Sequence, residues 1–390
     1  MKQLIKKIIS QKNINNFYHL PKAVLANIFY GFPARGLTVI GVTGTDGKTT
    51  TTNMVYQILK DAGKKVSMVS TINSPGLHVT SPDPFTIQKI AKESVKKGDE
   101  YLVLEVTSHA LDQYRFWGIN FDIGVITNIT HEHLDYHKTF ENYSLAKFKL
   151  IKNVTFTVIN QNLKDKVKTS GKLITFGLDK GDFSQKDLKL KLKISGDYNL
   201  ENALAALSVA FALNIDKKIA IESLENFEGI KGRMEFIKNR KGIKIVIDFA
   251  HTPNGLEQVL ATLKQQTQNR LISLIGAEGF RDVGKRSLMG EVTQRISNIV
   301  IVTSVDPRGQ LDIINKQISE GAQRAGARNN INFFVINDRQ KAIDFAINIL
   351  ARRGDTVGIF GKGHENAMNY NGKEEIPWSD FEAVDKALNG

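Results

Sequence analysis

The chain has no cysteine among its 390 residues, which excludes disulfides, thiolate metal sites and cysteine nucleophiles and is compatible with a reducing compartment. It also lacks any apolar run near the roughly 20 residues needed to cross a bilayer, so no membrane insertion is expected. The first ten residues, Met1 to Ser10 (MKQLIKKIIS), are basic with a few apolar residues. They have neither an apolar core nor a cleavage site, which argues against a signal peptide. No repeat of solenoid period and no low-complexity tract occurs. Acidic residues are the minority: 40 Asp and Glu against 53 Lys and Arg give a net charge of +13. That excess admits nucleic acid, an anionic surface or acidic small substrates. The lysines are spread out and do not interleave with aromatics, the pattern of a solvated basic surface, so no nucleic-acid partner is expected.

What the chain does have is an apolar strand, Leu37 to Val42, running into Gly44-Thr45-Asp46-Gly47-Lys48-Thr49-Thr50. A helix follows, with Met54, Val55, Ile58, Leu59 and Ala62 at helical spacing and Gly63 as its stop. This is the layout of a phosphate-cradling loop. Backbone N–H groups surround an anion, a lysine reaches the β- and γ-phosphates, and a hydroxyl meets Mg²⁺. The spacing is G-x-x-G-x-x-G-K-T, one residue off the usual phosphate-loop pattern, and a structural glycine turn is the competing reading.

Length predicts two or three domains. Residues 1–36 read as a lead-in with a short basic helix. Residues 37–229 alternate strands and helices, with apolar strands at 101–106, 122–129, 155–160 and 172–177, a hairpin or loop at 178–193, and a helix at 199–213 whose apolar face holds Ala203, Leu204, Leu207, Ala210 and Phe211. Residues 230–390 form a second run, with strands at 244–250, 271–277, 298–304, 332–337 and 355–361. The expected fold is α/β: a central ATPase-like domain on a mostly parallel sheet, then a Rossmann-like domain. His251, Glu278, Asp306, Asp338 and Lys362 follow the strand ends of the second run, where an open sheet binds ligands.

Four local patterns bear chemistry. Glu105 ends a buried strand, a place for a Mg²⁺ ligand or a salt-bridged rim residue. His131, His133 and His137 stand beside Glu132 and Asp135, a metal or acid/base cluster or surface histidines. Asn199 and Asn202, at the mouth of a helix, suit capping or a base edge. Gly361-Lys-Gly-His-Glu365 suits close approach of backbone to an anion, or a tight turn.

Their order along the chain is more specific than any one of them. The phosphate loop, S-H-A-L, H-L-D-Y-H, Y-x-x-A-K, G-x-x-N-x-x-N-A-x-A-A, G-R-M-E, D-x-A-H-T-P and G-K-G-H-E together strongly resemble the Mur ligase family. The similarity is greatest to the branch that adds the third residue of the peptidoglycan stem peptide (MurE type), from about residue 30 onward. The resemblance implies ATP-dependent activation of a carboxylate as an acyl phosphate, then attack by an amine to form an amide. It implies ATP and Mg²⁺ as cofactors, muramyl-peptide and amino-acid substrates, a monomer and a cytoplasmic location.

By the same resemblance, the nucleotide belongs to Gly44, Thr45, Asp46, Gly47, Lys48, Thr49, Thr50, Asn199, Asn202, Arg233 and Asp248. Metal and catalysis belong to Lys48, Thr49, Glu105, His133 and a carbamylated Lys147. The muramyl dipeptide falls to Thr80, Ser81, Thr107, Gln113 and Arg115. The amino acid falls to Arg281, Asp306, Pro307, Arg308, Gly361 and Glu365, with Arg308 favouring diaminopimelate through a bidentate carboxylate clamp. Three departures stand out. Val305-Asp306-Pro307-Arg308 replaces D-N-P-R, Glu132 replaces an aspartate, and only about 36 residues stand where the family has a UDP-binding domain. The last leaves open a non-UDP acceptor, as in cyanophycin-like or folylpolyglutamate-like ligases. A non-catalytic nucleotide- or nucleic-acid-binding protein is the remaining alternative.

Overall fold

The computed structural model describes residues 10–74 and 80–390; the expected short basic helix at the start falls mainly outside them. The chain forms two compact units. The first holds the described residues through Ile129, Glu141–Lys193 and Tyr198–Phe227. The second holds Thr130–Phe140, Ile194–Asp197 and Glu228–Gly390.

The first unit is built on a seven-stranded sheet: β1 (Thr38–Thr43), β2 (Val66–Val69), β3 (Tyr101–Glu105), β4 (Ile123–Ile126), β5 (Phe156–Asn160), β6 (Lys172–Gly177) and β7 (Phe183–Ser184). The spatial order is β2-β3-β1-β4-β5-β6-β7, and all pairings are parallel. Val39, Ile40, Val42, Leu102, Val103 and Val125 are fully buried, as a sheet covered on both faces requires. The chain leaves β1 toward β2 and β3, then returns to β4 on the other side. Strand order therefore reverses beside β1, where open α/β sheets form their crevice.

The second unit carries a six-stranded sheet of β8 (Glu235–Ile237), β9 (Lys244–Asp248), β10 (Leu271–Ile275), β11 (Ile299–Val302), β12 (Phe333–Val335) and β13 (Thr356–Phe360), ordered β12-β11-β10-β13-β9-β8. Only β8 is antiparallel. This three-residue strand is too short to leave a periodic signal, and the sequence reading missed it. A cluster of Ile245, Ile247, Ile272, Leu274, Ile301, Val357 and Ile359 fills one face against helices that include Ala342, Ile343 and Val384.

Three expectations need correction. The lead-in is helical through Gln11–Ile14, a π turn at Asn15–His19, and Leu20–Tyr30. Its buried side consists of Asn15, Ala23, Ala26 and Asn27, the reverse of an apolar stripe, so hydrophobic periodicity hid it. Residues 178–193 make no hairpin: Asp182 accepts hydrogen bonds from the backbone N–H (2.8 Å) and hydroxyl (2.9 Å) of Thr175. That folds the turn back so that β7 enters parallel to β6 and passes into a helical turn, Gln185–Leu188. Phe211 lies outside the core, exposed, with its ring 5.3 Å from that of Phe183.

Candidate functional site

The glycine loop follows β1 directly and opens the helix Lys48–Asp61. Its register is set by Thr51, Met54, Val55, Ile58 and Leu59, all buried. Several helices here have a side-chain cap: Asp83, Thr107, Thr252 and Ser379 each accept from an amide of their own first turn. This one starts on Gly47 at φ +81°, with no capping side chain, an arrangement that leaves the first turn to an anion. A Cβ on Gly47 would lie 2.2 Å from Asn202 Oδ1, and one on Gly44 1.8 Å from Thr127 Oγ1. The cradle therefore admits backbone only. The amide of Asp46 donates to Asn128 Oδ1 (3.0 Å), and the Thr127 hydroxyl donates to the carbonyl of Asp46 (2.6 Å), fixing the loop from β4.

Four of the sequence-predicted residues meet at this loop. The Lys48 ammonium donates to the carbonyls of Gly44 (3.1 Å) and Thr45 (2.7 Å), and Lys147 Nζ donates to the same Gly44 carbonyl (2.5 Å). Lys147 is buried, 4.5 Å above the Tyr143 ring, and the Tyr143 hydroxyl is 3.0 Å from Thr45 Oγ1. Thr49 Oγ1 donates to Glu105 Oε1 (2.9 Å). Thr71, which sequence reasoning missed, donates to the Glu105 carboxylate from both its amide (2.7 Å) and its hydroxyl (2.9 and 3.0 Å).

The five predicted dipeptide positions continue this network. Thr80 accepts from Thr71 (3.1 Å), and Ser81 Oγ donates to the Glu105 carbonyl (3.0 Å) and accepts from the Thr107 amide (3.1 Å). Arg115 donates to the Ser81 carbonyl (2.6 Å) and grips Gln113 Oε1 at 3.1 and 2.8 Å. Thr107 also caps the helix Ser108–Asp112.

Asn199 and Asn202 lie inside the helix Asp197–Ala212, so neither acts as its cap. Asn202 Oδ1 accepts from the Thr51 hydroxyl (3.2 Å) behind the glycine loop.

In the second unit the loops after β9, β10, β11 and β13 share one rim. Asp306 is buried; its Oδ2 accepts from Lys362 Nζ (3.0 Å) and its Oδ1 from the Asn369 amide (2.8 Å). Lys362, fully buried, also lies 2.7 Å from Glu365. Asp306 and Arg308 both adopt positive φ, +42° and +49°, so the Asp306-Pro307-Arg308 turn is held against its intrinsic preference by these bonds. Arg281 Nε meets Glu278 at 2.9 Å. Burial pushes the Glu278 carboxyl up, but the charges of Arg281, Lys285, His251 and Arg308 overcome it and hold the group well below the glutamate range. In turn Glu278 raises Arg281.

Asp248 accepts from the amides of Met234 (2.7 Å) and Ala250 (2.6 Å), an anchoring role. The Arg233 guanidinium lies 4.5 Å over the Phe249 ring. Asp338 is the N-cap of the helix Arg339–Asp344 and takes no part in the rim. His133 belongs to the second unit, at φ +57° in the segment Thr130–Phe140. Glu132 anchors that segment through buried Lys285 (3.0 Å), and Asp282 accepts from the Leu134 amide (3.1 Å). Lys285 and Asp282 carried no sequence signal, because their partners lie some 150 positions away. Among the described residues no three His, Asp or Glu side chains gather as a metal-holding group.

An apolar strand, a glycine cradle and an uncapped helix, ringed by a threonine, a carboxylate and two lysines, define the phosphate-loop class of α/β proteins. Residues 42–210 match the Mur ligase middle domain, and residues 232–363 match the Mur ligase, glutamate ligase domain. The chain belongs to the Mur ligase family, whose members are ATP-dependent amide-bond-forming ligases. It is 38% identical to a UDP-N-acetylmuramoyl-L-alanyl-D-glutamate--2,6-diaminopimelate ligase of Clostridium botulinum over 376 residues, covering 88% of this chain and 76% of the relative. A solved structure of a ligase with that description aligns with a TM-score of 0.58 and 30% identity, over 90% of this chain and 78% of that one. The MurF ligase from Thermotoga maritima in complex with ADP shares the fold, with a TM-score of 0.70 at 20% identity over 94% of this chain and 82% of that one.

Proposed function

We propose that this protein adds an amino acid, meso-diaminopimelate, to UDP-N-acetylmuramoyl-L-alanyl-D-glutamate in peptidoglycan precursor synthesis, as a cytoplasmic monomer. A carboxylate is a poor electrophile. Transfer of the terminal phosphoryl of ATP gives it a leaving group, and the amine of the incoming amino acid then displaces phosphate to form the amide.

In this reading residues 37–229 supply the nucleotide and acceptor sites and residues 230–390 the amino-acid site. The loop from Gly44 to Thr50 holds the phosphates, and Lys48 neutralises charge that builds on the transferred group. Thr49 and Glu105 are the hard oxygen donors that suit Mg²⁺, with His133 contributing to a second ion. Lys147 joins the metal set once carbamylated, since an ammonium has no lone pair for a cation. Asn199, Asn202, Arg233 and Asp248 frame the nucleotide. Thr80, Ser81, Thr107, Gln113 and Arg115 orient the acceptor. Arg281, Arg308 and Glu365 meet the amino acid, with Arg308 as the clamp on its second carboxylate.

The observation that carries this reading is the meeting of Thr49 with Glu105 at 2.9 Å and of Lys48 with Lys147 on one carbonyl. The test is phosphate release with ATP and Mg²⁺ across a panel of acceptors and amino acids. Release that requires both the UDP-muramyl dipeptide and diaminopimelate supports the reading; release with a folate or a non-UDP acceptor instead overturns the choice of acceptor.

A further inference from the structure

Arg339 opens the helix Arg339–Asp344 and is fully buried. A guanidinium in such a place has to satisfy its donors within the protein. Its Nε and Nη2 donate to the two oxygens of Asp380, each at 2.7 Å, a bidentate pair. Asp380 is also fully buried and stands in the first turn of the helix Asp380–Asn389, where a negative charge is favoured. It accepts from the Trp378 indole as well (2.9 Å).

The other contacts of Arg339 decide what the pair does. Nη2 donates to the carbonyl of Phe360 (3.0 Å) and Nη1 to that of Ser304 (3.3 Å). Phe360 ends β13, and Ser304 lies just past the end of β11. Those strands are not neighbours: β10 lies between them and pairs with both. One planar group therefore links loops that leave from non-adjacent strands. Both loops lead straight into the rim. Ser304 is followed by Val305-Asp306-Pro307-Arg308, and Phe360 by Gly361-Lys362-Gly363-His364-Glu365. A Cβ on Gly361 would lie 3.1 Å from a Val305 methyl, so the two loops are closely seated. They meet again where Lys362 pairs with Asp306 at 3.0 Å. Two buried ion pairs thus follow one another along the same loops. The outer pair holds the turn at Asp306, and the inner pair sets how far apart the loops begin.

We propose that Arg339 is a positioning residue for the amino-acid site: with Asp380 as counterion, it fixes the separation of the loops that carry Arg308 and Glu365. The proposal rests on the reading in which those two residues meet the amino acid. Arg339 acts through the loops and, being fully buried, reaches no substrate. Stability alone is a weak reason for such a pair, because apolar replacements of a buried ion pair are often neutral or stabilising. What apolar side chains lack is donors for the Ser304 and Phe360 carbonyls. A lysine keeps the charge opposite Asp380, but its ammonium cannot reproduce the planar fork.

The test is steady-state phosphate release by the full chain with ATP, Mg²⁺, UDP-muramyl dipeptide and diaminopimelate, each substrate varied in turn. Where a different amino acid supports release, the same comparison is run with that one. Arg339→Lys should raise KM for the amino acid about tenfold, with KM for ATP and for the acceptor within about twofold of the parent. Asp380→Asn keeps the shape and removes the counterion, so it should move the same constant in the same direction. It also covers the case in which Arg339→Lys does not fold. All three KM values at the parent level, with only the active fraction lowered, would mark the pair as merely structural and overturn the proposal. KM values that rise together, or failure of both variants to fold, would overturn it as well. A parent protein that releases phosphate with no amino acid overturns the underlying reading, a result seen before any variant is compared.

Discussion

The pair Asp306–Lys362 offers the sharpest physical test of the second unit. Lys362 is fully buried and Asp306 is 1% exposed, with 3.0 Å between Nζ and Oδ2. Removing one member of a buried pair costs about 3–5 kcal/mol, mostly because the other charge stays behind without its counterion. Asp306→Asn keeps the shape, and Glu365 still lies 2.7 Å from the ammonium, so the loss should fall at the low end, about 3 kcal/mol. Lys362→Met leaves both Asp306 and Glu365 without the cation, and about 4–5 kcal/mol is expected. Combining the two removes the stranded charge at Asp306, so the double variant should lie well short of the sum, with a coupling of about 2–3 kcal/mol.

The chain has two tryptophans, Trp117 in the first unit and Trp378 in the second. In a Trp117→Phe background, urea unfolding followed by Trp378 fluorescence therefore reports the second unit. Additivity of the two single changes to within about 0.5 kcal/mol would show that the two side chains are not coupled. The same cycle has a functional reading, because the pair holds the positive-φ turn that presents Arg308. Asp306→Asn should raise KM for the amino acid more than it lowers kcat.

Three further outcomes follow from the geometry. Lys48→Ala should lower kcat by about a hundredfold to a thousandfold while the far-ultraviolet circular dichroism stays unchanged, since the lost interaction is with developing charge; activity near the parent level would contradict it. Gly44→Ala drives a Cβ to 1.8 Å from Thr127 Oγ1 and should destabilise the first unit by about 1–3 kcal/mol, read from Trp117 fluorescence in a Trp378→Phe background; an unchanged midpoint would show that the loop relaxes. Because the folded Glu278 carboxyl titrates below its unfolded range, its contribution is complete above about pH 4.3 and declines as pH falls toward the folded value. Glu278→Gln should therefore destabilise at pH 7 and progressively less in acid, and a pH-independent difference would sink that assignment.

Much of this site was legible because its parts are local. The glycine loop, the strand-end Glu105 and the second-unit strands each declare themselves within a few residues, through backbone requirements or short apolar runs. What stayed hidden depends on distant partners. Thr71 looks like any loop threonine until β2 and β3 set it against Glu105. Lys285 reads as a surface lysine until it is buried on Glu132. The helix at Gln11–Tyr30 escaped for a different reason: its buried side is small and polar, so a search for an apolar inner stripe points the wrong way. The asparagines of Asn199-x-x-Asn202 suggested a cap or a contact to a base edge, yet the helix begins two residues earlier, and Asn202 lies behind the phosphate loop.

In the proposed reaction a phosphoryl group is transferred to an acid and an amine then displaces it. The most direct measurement uses acceptor labelled with ¹⁸O in its terminal carboxylate, ATP, Mg²⁺ and diaminopimelate, with mass spectrometry of both products. The expected result is a new amide product and one ¹⁸O atom in the released phosphate for each amide formed. Phosphate that carries no label, or ATP consumption without any ligated product, would contradict it.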